Sequence, residues 1–220
     1  MELSMRMKAI AEWLEKDQRV ADIGTDHGLL PIYLAKEGFS GLIAADLRPL
    51  PLEKGRLNAA KHGVDCIDFR LSDGLENISS DEVDAVVIAG LSGETIIAIL
   101  ENAGWLREKT LILQPMSRAQ VLRQYLSDAG YGLQEEKLIF EENRFFVLHY
   151  VRGKGKKLSD RQIHIGLSPT ADYLKHLISV NQRALEGLSK SGKPGDAARL
   201  EETKYVLTLL REELENGNCS

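Results

Sequence analysis

The sequence predicts an α/β protein: a mostly parallel sheet flanked by helices, followed by a helical hairpin. Three observations carry this. Val20-Ala-Asp-Ile23 is a short apolar strand that breaks at Gly24 and gives way to a helical pattern from Leu30, with Pro31 suited to a first turn. Gly41–Asp46 and Val83–Ala89 are nearly continuous apolar runs, as strands buried on both faces are. Beyond residue 170, Leu174, Leu177, Ile178, Leu185 and Leu188 form one stripe of helical spacing, and Leu200, Val206, Leu207, Leu210 and Leu214 form another.

Composition narrows the class. A chain of 220 residues holds one good-sized domain with a small appendage. Charged residues are 28% and hydrophobic residues 43%, ordinary for a globular protein. No apolar run is long enough to cross a membrane. Residues 1–15 are amphipathic and carry Glu2, Glu12 and Glu15, unlike a signal peptide. Cys66 and Cys219 form no metal pattern and read as free thiols of a reducing cytoplasm. The net charge of −5 excludes a protein that coats nucleic acid nonspecifically, but the charge is unevenly spread. Residues 1–150 carry a balance of −8 and residues 151–220 one of +3. Arg152, Lys154, Lys156, Lys157 and Arg161 form a basic stripe that either attracts phosphates or is a solvated linker.

Taken in order, Leu3, Met7, Ile10 and Leu14 make an amphipathic helix, with Arg6 and Lys8 off its stripe. The strand at Val20 then runs into Asp22-x-Gly24-x-Asp26-x-Gly28. This spacing is neither the dinucleotide Gly-x-Gly-x-x-Gly nor a phosphate loop. A strand–glycine–helix turn places backbone N–H groups beside a ligand. Its two carboxylates suit a ligand with a cationic amino-acid end and a nucleoside end, such as S-adenosylmethionine. The second strand ends on Asp46, roughly 20 residues past the turn, where an acid can accept both hydroxyls of a ribose.

A helix over Leu52–His62 and a third strand over Cys66–Leu71 follow. That strand ends in Ser72-Asp73-Gly74, where Asp73 is either an adenine acceptor or an Asp-Gly turn. The fourth strand meets Gly90-Leu91-Ser92-Gly93, which lets backbone approach a ligand closely, and a helix begins at Glu94. A fifth strand over Thr110–Leu113 leads to Gln114-Pro115-Met116, with Ser117 as the expected cap of the next helix. Leu133–Phe140 and Arg144–Val151 form a strand hairpin. Five β/α units closed by an antiparallel hairpin match the seven-stranded class I methyltransferase architecture. The expected boundary separates a domain at 1–152 from a basic linker and helical hairpin at 153–220.

The noted groups all fall at C-terminal strand ends, where open α/β sheets bind ligands. No Gly-x-Ser-x-Gly, metal cluster or nucleophile–base pair is present. Methyl transfer from a sulfonium needs in-line positioning and a dry site rather than covalent machinery. After the fourth strand the chain lacks the Asn/Asp-Pro-Pro-aromatic run typical of exocyclic amine methylation, which favours a ring nitrogen as acceptor. Attack by a ring nitrogen leaves a cationic ring, so an adjacent acid is useful. Asp26 and His27 are the candidates; Asp26 alternatively binds the cofactor's amino group, and His27 alternatively packs within the turn. His62, His149, His164 and His176 are read as incidental. A nicotinamide-dependent oxidoreductase fits the fold and Asp46, but not the acidic turn.

Several segments, in order, resemble the bacterial tRNA (adenine-22-N1)-methyltransferases of the TrmK type. They are Val20-Ala-Asp-Ile-Gly-Thr-Asp-His-Gly, Pro51-Leu-Glu-Lys, Ser72-Asp-Gly-Leu, Val87-Ile-Ala-Gly, Leu111-Ile-Leu-Gln-Pro-Met and Ile165-Gly166. The resemblance implies a class I domain with a coiled-coil-like hairpin, S-adenosylmethionine as donor, tRNA as acceptor, and no metal. It implies cofactor contacts at Gly24, Asp46, Asp73 and Gly90, to which the turn and strand ends add Asp22, Thr25, Gly28, Leu47 and Gly74. Asp26 and His27 would face the base. A monomer or weak dimer in the cytoplasm is expected. The chain departs from the family at Leu29, where a Tyr is usual, and at Leu91-Ser92-Gly93, where Met-Gly-Gly is usual. It also departs at Arg144-Phe145-Phe146-Val147, where Lys-x-Tyr-Glu is common. Leu29 and Ser92 motivate a second expectation: a catalytically altered relative that keeps the cofactor pocket and serves as a binding protein.

Overall fold

The structure, a computed structural model, describes residues 3–191 and 193–217. The chain divides into two compact units, one running to Lys157 and one starting at Leu158.

The first unit is built on seven strands. β1 (Val20–Ile23), β2 (Leu42–Asp46), β3 (Ile67–Leu71), β4 (Ala85–Ser92) and β5 (Thr110–Ser117) are parallel. β6 (Tyr131–Glu141) and β7 (Arg144–Lys154) form the antiparallel hairpin at one edge. The order is β3-β2-β1-β4-β5-β7-β6, the arrangement expected from five β/α units and a closing hairpin. The hairpin is longer than its apolar pattern. It turns through Glu142 and Asn143, both left-handed at φ 49° and 61°, which matches the twist of the paired strands. β7 extends to Lys154, past the boundary expected after residue 152.

Alternation along the strands supplies two cores. Val20, Ala44, Val87 and Ile112 face one side. There α1 (Met5–Ala11), α2 (Leu29–Lys36) and α3 (Pro49–Lys61) contribute Ile10, Ile32, Leu34 and Leu52. Ala21, Ile43, Val86 and Leu111 face the other, against Ile96 and Leu100 of α4 (Gly93–Asn102) and Leu122 and Leu126 of α5 (Ala119–Asp128). Burying a large aliphatic side chain contributes about 1.5–3 kcal/mol, so these layers hold the strand ends in place.

Two local expectations change. Ser117 does not cap α5; it ends β5, and left-handed Arg118 takes the cap position without a side-chain bond. Its carbonyl lies against Gly93, where an added Cβ would sit 2.5 Å away, so the start of α4 needs a residue without a side chain. His149 is not incidental. It is fully buried, with Nε2 3.0 Å from Glu136 Oε1, which also accepts from Arg123 Nε at 2.6 Å. Burial pushes the Glu136 carboxyl up, but Arg123 and His149 outweigh it and hold it at about 2. This ionic group ties α5 to β6 and β7.

The second unit holds α6 (Asp160–Ile165), α7 (Ala171–Ser191) and α8 (Asp196–Glu215). The two long helices follow the predicted stripes. Ile165, Leu174 and Leu210 are buried among Leu177, Ile178, Val206 and Leu214. The short α6 falls within residues read as linker, and Ser159 and Gln162 form its capping box. Among the described residues no helix is long and apolar enough to cross a membrane.

Candidate active site

The strand order reverses between β1 and β4: β1 pairs with β2 on one side and β4 on the other. Crevices at such switch points are where open α/β sheets bind ligands. The β1 turn is wound tightly to shape this one. The N–H groups of Gly24 and Thr25 both donate to the Ala45 carbonyl, at 2.9 and 3.0 Å. Gly24, Asp26 and Gly28 are all left-handed, at φ 75°, 51° and 69°. A left-handed non-glycine residue is strained, and such residues cluster at functional sites.

Two adjoining chambers open above the strand ends. The first has a volume of about 830 Å³. Gly24, Asp46, Leu47, Asp73, Gly74 and Leu91 line it, with Thr95 and Ile99 of α4. Asp46 is 6% exposed, and its Oδ1 accepts the Arg48 N–H at 2.9 Å, leaving Oδ2 for a ligand. Leu47, Leu91 and Ile99 provide apolar walls suited to a flat ring. An added Cβ on Gly74 (φ 52°) would lie 3.1 Å from Ile99, so a side chain there would crowd that wall.

The second chamber has a volume of about 350 Å³ and shares Gly24, Asp46, Arg48 and Leu91 with the first. Asp22, Thr25, Asp26 and Gly90 line it, and α1 contributes Arg6, Met7 and Ile10. Asp22 is 7% exposed and accepts from Thr25 Oγ1 at 2.6 Å. Burial pushes its carboxyl up to about 6; the Thr25 hydroxyl opposes this and the nearby Asp46 charge adds to it. No cation among the described residues forms an ion pair with Asp22. A buried acid of this kind, facing a chamber, fits an ammonium ligand. Asp26 is exposed, and its carboxylate reaches His27 Nε2 at 3.4 Å.

Most residues expected at the site therefore converge: Asp22, Gly24, Thr25, Asp26, Asp46, Leu47, Asp73, Gly74 and Gly90 all line one chamber or both. His27 lines neither; its side chain sits at the rim against Asp26 and its carbonyl accepts from Asn58. Gly28 also lines neither. An added Cβ there would lie 3.1 Å from Phe69 and 3.3 Å from Gly55, so it serves packing of α2 on its neighbours. Ser92 caps α4, its Oγ accepting from the Thr95 N–H at 3.2 Å, and Leu29 opens α2 outside both linings.

No residue of the basic stripe is among those lining the two chambers. Thr110 pairs with Arg152 and Leu113 with His149, so Arg152 and Lys154 sit at the N-terminal edge of the parallel strands, opposite the chambers. Lys157 lies 3.5 Å from Asp128 at the end of α5. Arg161 belongs to the second unit and is paired to the buried Glu213, its Nε 2.6 Å from Oε2. Arg48, Thr95 and Ile99 line the chambers without having been singled out in the sequence, and so does Arg6, placed on the second chamber by contacts with residues more than 100 positions away. Its only sequence signal was to lie off the apolar stripe of its helix. Among the described residues, no group of three or more His, Cys, Asp or Glu is arranged to hold a metal ion.

A mixed seven-stranded sheet with acids at the ends of β1 and β2, above a two-chambered crevice, defines a class I methyltransferase. The family model for the methyltransferase domain matches residues 3–148. The tRNA (adenine(22)-N(1))-methyltransferase of Bacillus subtilis is 35% identical over 151 residues, which span 66% of this chain and 63% of that relative. The crystal structure of the B. subtilis m1A22 tRNA methyltransferase TrmK superposes with a TM-score of 0.84 at 28% identity, covering 97% of this chain and 99% of that one. A putative tRNA (m1A22) methyltransferase from Streptococcus pneumoniae, solved in complex with S-adenosyl-L-methionine, gives 0.82 at 26% identity over 97% of this chain and 100% of that one. The chain belongs to the methyltransferase family, and its likeness over nearly its whole length places it in the TrmK-type branch.

Proposed function

We propose that this protein transfers a methyl group from S-adenosylmethionine to N1 of an adenine in tRNA, the adenine at position 22. The carrying observation is the paired chambers, with a ribose-type acid in one and a strained, exposed acid in the other. The residues present fit the cofactor. Asp46 offers a carboxylate oxygen to the ribose hydroxyls, Asp73 an acceptor to the adenine amine, and Leu47, Leu91 and Ile99 the walls for the ring. Gly24 bends the backbone around the middle of the ligand. Asp22 supplies the counter-charge for its ammonium group.

The cofactor, when bound, supplies an electrophilic methyl group on a sulfonium. The remaining work falls to the chain. The second chamber holds the base so that the N1 lone pair meets the methyl carbon in line, and the bound base displaces water from it. As the N1–C bond forms, the methyl group's bond to sulfur would break with a neutral thioether as leaving group, and the positive charge passes to the purine. The Asp26 carboxylate, fixed by its left-handed backbone, faces that charge and stabilises it. His27 holds Asp26 from the rim. With tRNA as acceptor, the protein works in the cytoplasm. The cations at the far end of β7 are left to contact outer parts of the tRNA.

Leu29 and Ser92, the two departures behind the non-catalytic reading, do not favour it: Ser92 has a capping bond, and Leu29 lies outside both linings. The test is incubation of transcribed tRNA with labelled S-adenosylmethionine, with cofactor binding followed separately by calorimetry. Label in the tRNA is expected. A bound cofactor with no transfer would refute the enzymatic reading.

A further inference from the structure

We propose that Arg6 is a positioning residue that binds the phosphate of the nucleotide entering the second chamber. The inference rests on the reading of that chamber as the acceptor site.

The chamber is acidic: Asp22, Asp26 and Asp46 all line it. A nucleotide brings a phosphate, which three carboxylates repel. Two cations line the same chamber, Arg6 and Arg48. Arg48 is not pre-oriented: only its backbone N–H bonds Asp46, at 2.9 Å, while its guanidinium is largely exposed, with Nε 3.7 Å from that carboxylate. Arg6 has no carboxylate partner among the described residues. Its Nη1 donates to Gln114 Oε1 at 3.2 Å and to Met116 Sδ at 3.4 Å, both neutral acceptors. Its guanidinium also lies over the Phe146 ring, 4.7 Å from the centroid.

These contacts fix the plane and one corner of the group. They leave the edge formed by Nε and Nη2 without a partner among the described residues. That edge is the one that binds phosphate with two parallel hydrogen bonds. A pre-oriented guanidinium loses little freedom on binding, and it brings the charge that the acidic chamber lacks. A purely structural arginine tying α1 to β5 and β7 would satisfy Gln114 and Phe146 equally well, so the two roles differ only in what the open edge does.

The experiment measures tRNA binding by fluorescence anisotropy across a salt series for wild type, Arg6→Gln and Arg6→Lys. Calorimetry with S-adenosylmethionine and steady-state methyl transfer run beside it. For Arg6→Gln the expected result is about a tenfold loss of tRNA affinity, a rise in KM for tRNA with kcat less affected, and unchanged cofactor affinity. The salt slope should fall by about one. Arg6→Lys should restore the slope but only part of the affinity, because an ammonium cannot form the forked pair. An Arg6→Gln variant with wild-type tRNA affinity and salt slope overturns the proposal, even if it melts earlier or turns over more slowly. If wild type transfers no methyl group but Arg6→Gln still lowers the slope by one, the catalytic reading fails and the phosphate site stands.

Discussion

The two chambers share Gly24, Asp46, Arg48 and Leu91, yet they are built differently. The first is roomy and walled by apolar side chains from α4 and the strand ends, with Asp46 and Asp73 as its acceptors. The second is less than half its size, and α1 places a cation in it opposite Asp22 and Asp26. The difference separates recognition from chemistry. A large apolar slot with a ribose acceptor holds a nucleoside; a small, charged slot decides what happens to it.

Substitutions can break this division. Asp26→Ala should have the largest effect, a fall in turnover of about 100-fold or more, as for loss of a group aimed at developing charge. Cofactor affinity should stay within a few-fold by calorimetry. Equal loss of both would move Asp26 to the cofactor side. Asp46→Ala should do the reverse, weakening cofactor binding about 30-fold through lost charge-assisted hydrogen bonds. Turnover at saturating cofactor should largely recover. A kcat loss that saturation cannot repair would show that the chambers are not separable.

Asp22, which lines only the second chamber, is assigned to the cofactor's ammonium group, and pH sharpens its role. Its carboxyl is raised to about 6 in the fold, above the ordinary value near 4. The folded protein therefore holds this proton more tightly than the unfolded chain. The associated stability is fully present below about pH 4 and lost as pH rises through 6. Asp22→Asn should thus stabilise the cofactor-free protein at pH 7 by up to about 3 kcal/mol in urea melts, with the gain vanishing below pH 4. Cofactor affinity of wild type should tighten by up to about tenfold from pH 5 to pH 7, and the variant should lack that dependence. A flat wild-type profile would remove Asp22 from the ammonium site.

Much of the first chamber was legible in the sequence. Strand–turn–acid spacing at Gly24 and Asp46, and Asp73 and Gly74 after the third strand, are local patterns that carry their chemistry with them. The second chamber was legible at the β1 turn, at Asp46 and at Gly90, but not where α1 supplies it. Arg6 reaches it through Gln114, Met116 and Phe146, contacts that no local pattern encodes. Gly28 looks like Gly24 in the sequence, yet Phe69 and Gly55 claim it for packing. His149 was hidden in the same way, because its partners Arg123 and Glu136 lie on α5 and β6. The end of the sheet at which the basic stripe lies was not legible, for a physical reason. A hairpin reverses the chain, so β7 begins at the chambers and carries Arg152 and Lys154 away from them.

The most direct measurement is mass-spectrometric mapping of the modified nucleotide after incubating the protein and S-adenosylmethionine with total tRNA. A single N1-methyladenosine at position 22 is the expected product. Methyl groups on an exocyclic amine or at another position, or no modified nucleotide while the cofactor is bound, would contradict the assignment of the second chamber.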